Sequence, residues 1–284
     1  MRVGQNPNRI ASAKSYRPLI FAIVTHLPNF LGYHSQRMAV VQTCIRSMTA
    51  NADREHTLII WDNGSCRELK DWIRDAAKPD VFIESFNIGK TAARSSIARM
   101  IPPDHTVCYS DDDMYFTPGW LAPQLDLLEH FPNVAAVTGY PVRTAFRWGV
   151  DKTVKWAKKN AEVEYGRFIP EAWERDFCDS IGREWSLHKE NSAGDKDVRI
   201  TYNGVQAYAT AHHCQFIAPS ETLAKVAAWD GKAMGDEKVL DVALDKQGLR
   251  LATTERLTRH IGNVLDNKLM DEIAEAERVA RTRR

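Results

Sequence analysis

Three consecutive aspartates, Asp111, Asp112 and Asp113, follow Ser110 at the end of an apolar run. Adjacent carboxylates repel one another and are costly to gather unless a cation neutralises them. In an extended segment, side chains two residues apart point the same way, about 6.6 Å apart along the chain. Asp111 and Asp113 are therefore expected to face one ligand, with Asp112 pointing elsewhere. Hard oxygen donors with few protein ligands suit Mg²⁺ or Mn²⁺, with substrate phosphates filling the shell. The plain alternative is an acidic loop capping a helix at Pro118. The strand before the triplet and the proline seven residues after Asp111 favour the ligand site.

Other segments carry weaker signals. Gly89-Lys90-Thr91 resembles the end of a phosphate-binding P-loop, but Glu84 stands where that motif needs its first glycine, so a kinase or ATPase is rejected. Gly89 still opens a helix whose N-terminus can face an anion. Lys90 and Arg94 lie one turn apart on it, set for a diphosphate or for solvent. Asp62 ends a strand, where it can accept a hydrogen bond from a nucleobase or build the Asp-Asn-Gly turn. Asp236 and Glu237 open a late helix, as dipole partners or as a general base. His260 ends a late strand. His212-His213-Cys214 lacks a second ligand pair, so zinc is not expected there.

Strands and helices must position these residues. Apolar runs at 19–24, 57–61, 81–83, 106–109, 134–138 and 214–218 read as strands. Helical spacing joins Met38, Val41, Ile45 and Met48, then Leu69, Trp72, Ile73 and Ala76, then Ala93, Ile97 and Met100. Thr117-Pro118 reads as the cap and first residue of a helix carrying Leu121, Leu125 and Leu128. Ser220 reads as the cap of another helix, and Gly248 as the stop after Val239–Leu244. Strands near 249–253 and 256–260 and a polar helix beyond Val264 complete the pattern. Such alternation implies a mostly parallel sheet covered on both faces, binding ligands at its carboxyl ends. The stretch 141–208 breaks the rhythm and holds Trp148, Trp156, Trp173 and Trp185, four of the eight tryptophans.

Composition excludes several classes. The 284 residues carry 38 Lys+Arg against 37 Asp+Glu and are 44% hydrophobic, which argues against disorder and against a strongly basic nucleic-acid binder. No run reaches the ~18 apolar residues of a membrane helix. Five widely spaced cysteines suggest no disulfide framework, so a reducing, cytoplasmic setting is the simplest reading.

In order and spacing, these segments resemble a family 2 glycosyltransferase with the GT-A fold. The resemblance runs from the strand ending in Thr25, through Trp61-Asp62-Asn63-Gly64-Ser65, Asn87-x-Gly89 with Ala93-Arg94, and Tyr109-Ser-Asp111-Asp-Asp113, to Asp236-Glu237-x-x-Leu240 with Gly248 and then His260. The acid pair stands in swapped order, and Ser95 stands where Asn is common. The resemblance implies an α/β Rossmann-like domain over 18–263. Residues 18–140 would form its nucleotide-sugar half, 141–208 an acceptor-side insertion, and 209–263 the part with the base and the metal histidine. A basic arm over 1–17 and a polar tail over 264–284 would flank it. It further implies transfer from a nucleoside-diphosphate sugar, a UDP-sugar favoured, to an acceptor hydroxyl with inversion. Thr25, Asp62, Asn63, Asn87, Lys90, Arg94, Asp111 and Asp112 would bind the donor, and Asp113, Asp111 and His260 would bind Mn²⁺ or Mg²⁺. Glu237 would be the base, with Asp236 as the alternative. A nucleotidyltransferase acting on a sugar phosphate, a retaining GT-A enzyme and a non-catalytic module are the competing readings. Polysaccharide, lipid-linked sugar, protein and modified nucleobase all stand open as acceptors, as does the oligomeric state.

Overall fold

The computed structural model describes residues 18–227 and 237–282. The expected arm over 1–17, Gly235 and Asp236 lie outside the described residues. The apolar run at the start forms β1 (Leu19–Thr25), buried along its whole length. In chain order there follow α1 (Arg37–Ala50), β2 (Thr57–Asn63), α2 (Arg67–Trp72), β3 (Val81–Ser85), α3 (Lys90–Met100), β4 (Thr106–Asp111), β5 (Met114–Phe116), α4 (Ala122–His130) and β6 (Val134–Thr138). Then come α5 (Asp151–Asn160), β7 (Glu162–Gly166), α6 (Glu171–Ser180), α7 (Trp185–Asn191), β8 (Asp197–Tyr202) and β9 (Val205–Tyr208). The chain continues with β10 (Gln215–Pro219), α8 (Ser220–Val226), α9 (Glu237–Gln247), β11 (Leu249–Ala252), β12 (Thr258–His260) and α10 (Asn267–Thr282).

Ten strands form one mixed sheet in the order β3-β2-β1-β4-β10-β6-β11-β9-β8-β7. The β3-β2-β1-β4 half is wholly parallel. Its register sets Thr25 beside Asp62 and Val24 beside Asp111, so the carboxyl ends of three strands finish level. Alternation along β1 sends Phe21 and Ile23 to one face and Ile20, Ala22 and Val24 to the other. The first face packs on Val41, Cys44, Ile45 and Met48 of α1 and on Leu69 of α2. The second packs on Ala93 and Ile97 of α3, Leu223 of α8 and Leu240 of α9. Helices on both faces thus hold the strand ends rigidly. A separate two-stranded sheet pairs β12 with β5 and brings His260 opposite Met114, next to Asp113.

The aromatic-rich stretch continues the main sheet: β7, β8 and β9 pair antiparallel, and β9 joins β11. Trp156 packs with Phe131 and Tyr202 and Trp173 with Tyr208 and Ala252, while Trp148 stays exposed. Arg143 ties this region together from the interior. Its guanidinium donates to both oxygens of Asp197, at 2.7 and 3.1 Å, to the Ile169 carbonyl at 2.9 Å, and to Glu174. Asp197 also accepts from the amides of Phe168 and Ile169.

Three local expectations fail and one, the stop at Gly248, holds for a different reason. The helix expected to open at Pro118 begins at Ala122 instead, because Gly119 turns the chain with φ +76° and Pro123 supplies the early proline. Ser220 does not cap α8; its hydroxyl accepts from the His105 amide. Gly248 stops α9 without a left-handed φ: a Cβ there would stand 2.1 Å from the Asn133 carbonyl, so close packing is what demands glycine. The strand β2 runs two residues further than expected, through Asp62 and Asn63.

Replacing Arg143 by Met strands two buried carboxylates and should cost about 3–5 kcal/mol. Urea unfolding of Arg143→Met against wild type measures it, and the double change Arg143→Met with Glu174→Gln should recover part of the loss.

Candidate active site

The level strand ends and the start of α3 surround a cleft of about 350 Å³. Val24, Asn63, Asn87, Lys90 and all three aspartates line it, together with His26, Tyr33, His34 and Arg37. The expected alternation, with Asp112 turned away, does not hold. The strand β4 ends at Asp111, and the chain turns through Asp112 and Asp113 before β5. The turn is fixed from outside: the Asp111 amide donates to the Cys214 carbonyl and the Ile261 amide to the Asp113 carbonyl.

The triplet is split between two cations. Asp111 accepts from Lys90 Nζ at 2.8 Å and from the Tyr109 hydroxyl at 2.9 Å. Burial pushes the Asp111 carboxyl up, but Lys90, with Arg94 behind it, outweighs burial and holds it below its ordinary range. Arg37, the first residue of α1, pairs with Asp112 and donates to Asp113 Oδ2 at 3.0 Å and to the Gly262 carbonyl at 3.1 Å. The Asp112 carboxyl lies above its ordinary range: burial raises it, Arg37 draws it back and the Asp113 charge adds to the rise.

Glu237, at the start of α9, faces the same cations. Its Oε1 is 3.2 Å from Lys90 Nζ and its Oε2 is 2.8 Å from Arg94 Nη1. Burial alone would raise Glu237; Lys90 and Arg94 bring it below its ordinary range. Arg94 also lies over the Tyr109 ring, 5.4 Å from its centroid. Lys90, Arg94, Asp111 and Glu237 therefore form one cluster of direct ion pairs.

Asp62 is fully buried beneath the cleft. It accepts from Thr25 Oγ1 at 3.4 Å and from the Ser65 amide at 3.1 Å, with Lys70 Nζ 3.7 Å away. That is the turn chemistry of the two readings. Its neighbour Asn63 reaches the cleft: Oδ1 accepts from the Ile88 amide, and Nδ2 donates to Asn87 Oδ1 at 3.1 Å. Asn87 Oδ1 in turn accepts from the Gly89 amide. This lock fixes the start of α3, which has no side-chain cap on its first turn. Free helix amides there favour anions.

Asp113 and His260 meet the demands of a divalent cation. Asp113 Oδ1 is buried and accepts no hydrogen bond. His260 Nε2 stands 3.6 Å from it. Ser180 Oγ donates to the Phe177 carbonyl at 2.7 Å, so at 2.8 Å it accepts from His260 Nδ1–H. The lone pair of Nε2 then faces the lone pairs of Oδ1. A proton on Nε2 or a divalent cation would satisfy both groups, and a carboxylate oxygen with an imidazole nitrogen is a donor set that suits Mn²⁺ and its neighbours. His212, His213 and Cys214 bring their ligand atoms within 4.8 Å of one another, but His213 Nδ1 is taken by Asp241 at 2.9 Å.

Arg37, His26, Tyr33, His34 and Asp241 escaped the sequence reading, and His213 entered it only within the His212-His213-Cys214 triplet set aside as a zinc site. Only Asp241 left a trace, one turn after Glu237 on the same helix face. The others sit in no motif.

The model of the family described as glycosyl transferase family 2 matches residues 35–183. No curated protein matches the sequence. Among solved structures, residues 1–349 of TarS from S. aureus superpose with a TM-score of 0.50 at 10% identity, covering 92% of this chain and 65% of that one. Glucosyl-3-phosphoglycerate synthase from Mycobacterium tuberculosis, in complex with Mn²⁺, UDP and glucosyl-3-phosphoglycerate, gives 0.48 at 14% identity, over 92% and 76% of the two chains. The mannosyltransferase PcManGT from Pyrobaculum calidifontis, in complex with GDP-Man and Mn²⁺, gives 0.35 at 15% identity over 44% of this chain. The present chain spans only 36% of that mannosyltransferase's length. The sheet order and the likeness to TarS identify the fold as GT-A. With a family model matching just over half of its length, the chain belongs to glycosyl transferase family 2.

Proposed function

We propose that this chain transfers a glycosyl group from a nucleoside-diphosphate sugar to an acceptor hydroxyl, with inversion and with a divalent cation. The observation that carries the reading is the facing pair Asp113 Oδ1 and His260 Nε2, beside a cleft that also presents Lys90. Asp113 and His260 would hold the cation, with Asp111 and Asp112 turned to the donor. When bound, the cation supplies neutralising charge for the leaving diphosphate. Lys90, with Arg94 behind it, adds positive charge on the α3 side, and the uncapped first turn of α3 favours the same anion. Asn63 and Asn87 present amide groups to the donor, with UDP-sugars the first donors to test.

The donor's arrival is an exchange of partners. Lys90 and Arg94 are held by Asp111 and Glu237 before any phosphate is present. Glu237 enters this reading as the anchor of both cations; to act as the base, it must first yield them to the diphosphate.

UDP binding, followed by calorimetry, should strengthen on adding Mn²⁺ and weaken on chelation. Asp113→Ala and His260→Ala should each weaken metal-dependent binding about 10–100-fold. Binding that ignores chelation and both substitutions contradicts the reading.

Lys90→Met removes a cation shared by two carboxyls that both titrate below their ordinary range. The stabilisation they supply is complete above the ordinary carboxyl range and is lost as pH falls through their folded values. The variant should therefore lose about 1–3 kcal/mol at pH 7 in urea unfolding. That gap should narrow in acid, and UDP should bind the variant more weakly.

A further inference from the structure

The two sides of the cleft are balanced differently. On the α3 side, Lys90 and Arg94 face Asp111 and Glu237, two cations against two carboxylates. On the α1 side, the guanidinium of Arg37 pairs with both Asp112 and Asp113, one cation against two carboxylates.

Arg37 opens α1 with a side chain that is only 7% exposed, and it lines the cleft together with Lys90. Asp112 is committed at both oxygens: one meets Arg37, and the other accepts from the His26 amide at 3.1 Å. At Asp113 the same guanidinium takes Oδ2 at 3.0 Å and leaves Oδ1 without a hydrogen bond. The nitrogen that holds Oδ2, Nη1, also donates to the Gly262 carbonyl at 3.1 Å, two residues after His260. Gly262 sits at φ +81°, and a Cβ there would stand 2.0 Å from the Ser180 carbonyl oxygen. The Ser180 hydroxyl is the group that fixes the His260 ring. One planar fork therefore spans both carboxylates and the turn behind the histidine, contacts that the single ammonium of a lysine cannot make together.

This geometry acts in two opposite ways on a cation at Asp113 Oδ1. It sets that oxygen and His260 Nε2 in place, 3.6 Å apart, before any ion arrives. It also fixes a positive charge on the other oxygen of the same carboxylate and withholds Asp112 altogether. The affinity of oxygen sites for hard divalent cations follows the count of ligand charges. Two carboxylates that share a guanidinium offer the charge of one. A diphosphate changes the sum. Its oxygens bring negative charge to the ion and are themselves attracted by the guanidinium, so the repulsion between Arg37 and the ion is offset.

We propose that Arg37 makes cation binding conditional on the nucleoside diphosphate. It keeps Asp112 and one oxygen of Asp113 from capturing a divalent cation in the donor-free cleft, and so reserves the site for a cation held jointly with phosphate oxygens. The inference rests on the glycosyl-transfer reading above, in which Asp113 and His260 hold the cation. Arg37 is a positioning residue, since it acts on the ion through the two aspartates.

The test titrates Mn²⁺ into the full chain at about pH 8, above the ordinary histidine range, and follows the free ion by electron paramagnetic resonance with and without UDP. In wild type, UDP should strengthen Mn²⁺ binding, and by reciprocity Mn²⁺ should strengthen UDP binding by the same factor. Arg37→Met should bind Mn²⁺ alone about tenfold more tightly, while its Mn²⁺ affinity in the presence of UDP changes by less than about threefold. The factor linking the two ligands then falls. Asp112→Asn removes a carboxylate and keeps the guanidinium, so it should shift the binding of Mn²⁺ alone the opposite way. The double change Arg37→Met with Asp112→Asn should return to within about threefold of wild type. Adding Asp113→Ala to Arg37→Met should abolish the gain, which locates the ion. An arginine that only supports the fold predicts weaker Mn²⁺ binding in Arg37→Met both with and without UDP. That result, or unchanged binding of Mn²⁺ alone, overturns the assignment. Should Arg37→Met not fold, Asp112→Asn and the double variant carry the same comparison, since neither buries an unpaired Asp112 carboxylate. Equal or weaker binding of Mn²⁺ in the double variant then overturns it. A wild type that binds UDP without regard to Mn²⁺ overturns instead the reading on which the inference rests.

Discussion

Gathering three consecutive aspartates at one strand end, two of them buried, is the constraint that organises this molecule. No strand end can hold such carboxylates together, largely out of water, without counter-charge. The fold meets that demand from both sides of the sheet. Arg37 arrives from α1 on one face and Lys90 from α3 on the other, while Arg94 on the next turn of α3 supports Lys90 through Glu237. The parallel register matters for the same reason. It ends β1, β2 and β4 level, so that the loops and helix starts able to supply cations converge on one cleft.

These pairings leave carboxylate oxygens without a hydrogen bond, at Glu237 Oε1 and at Asp113 Oδ1 among them. Asp113 spends Oδ2 on Arg37 and leaves Oδ1 unpartnered, facing a histidine whose proton is fixed on its far nitrogen. The two-stranded sheet of β5 and β12 exists at the point where that pairing needs it, because it sets His260 directly across from the residue after Asp113. Local strand pairing thus does the work of a ligand spacing that no contiguous motif could encode.

Much of the fold was legible because its signals are local. The apolar runs of β1, β4 and β6 and the helical spacing in α1 and α3 are short-range patterns, and each appears where it was expected. Lys90, Arg94, Asp111 and Glu237 were legible as candidates for a different reason, since strand ends and helix starts are the places where such sheets gather ligands, but their direct pairing with one another was not. What failed was local geometry at turns. Alternation assigned Asp112 away from the cleft because the rule assumes that the strand continues, and β4 stops at Asp111. Thr117-Pro118 looked like a helix start because nothing in those two residues announces the break at Gly119. Arg37 was illegible in principle. Its partner lies 75 residues away, and only the packed chain brings the two together.

Behind the near-zero net charge of the chain lie local pairings of opposite charge. Cations and carboxylates are matched in place: Arg37 with Asp112, Lys90 with Asp111, Arg94 with Glu237, Arg250 with Asp241, Arg143 with Asp197. Two of these matches are structural, since Arg143 and Arg250 are fully buried and also hold backbone carbonyls. The pairs of Lys90 and Arg94 are different, because they border the cleft and have partners that a diphosphate can replace. An anion entering there does not meet free cations; it competes with carboxylates already bound to them. Its affinity is therefore set by a difference between two charge arrangements. Under the proposed reading, Asp113 and His260 would add a cation whose charge no carboxylate has first to release, so the two sides of the cleft would be unequal halves of one anion site.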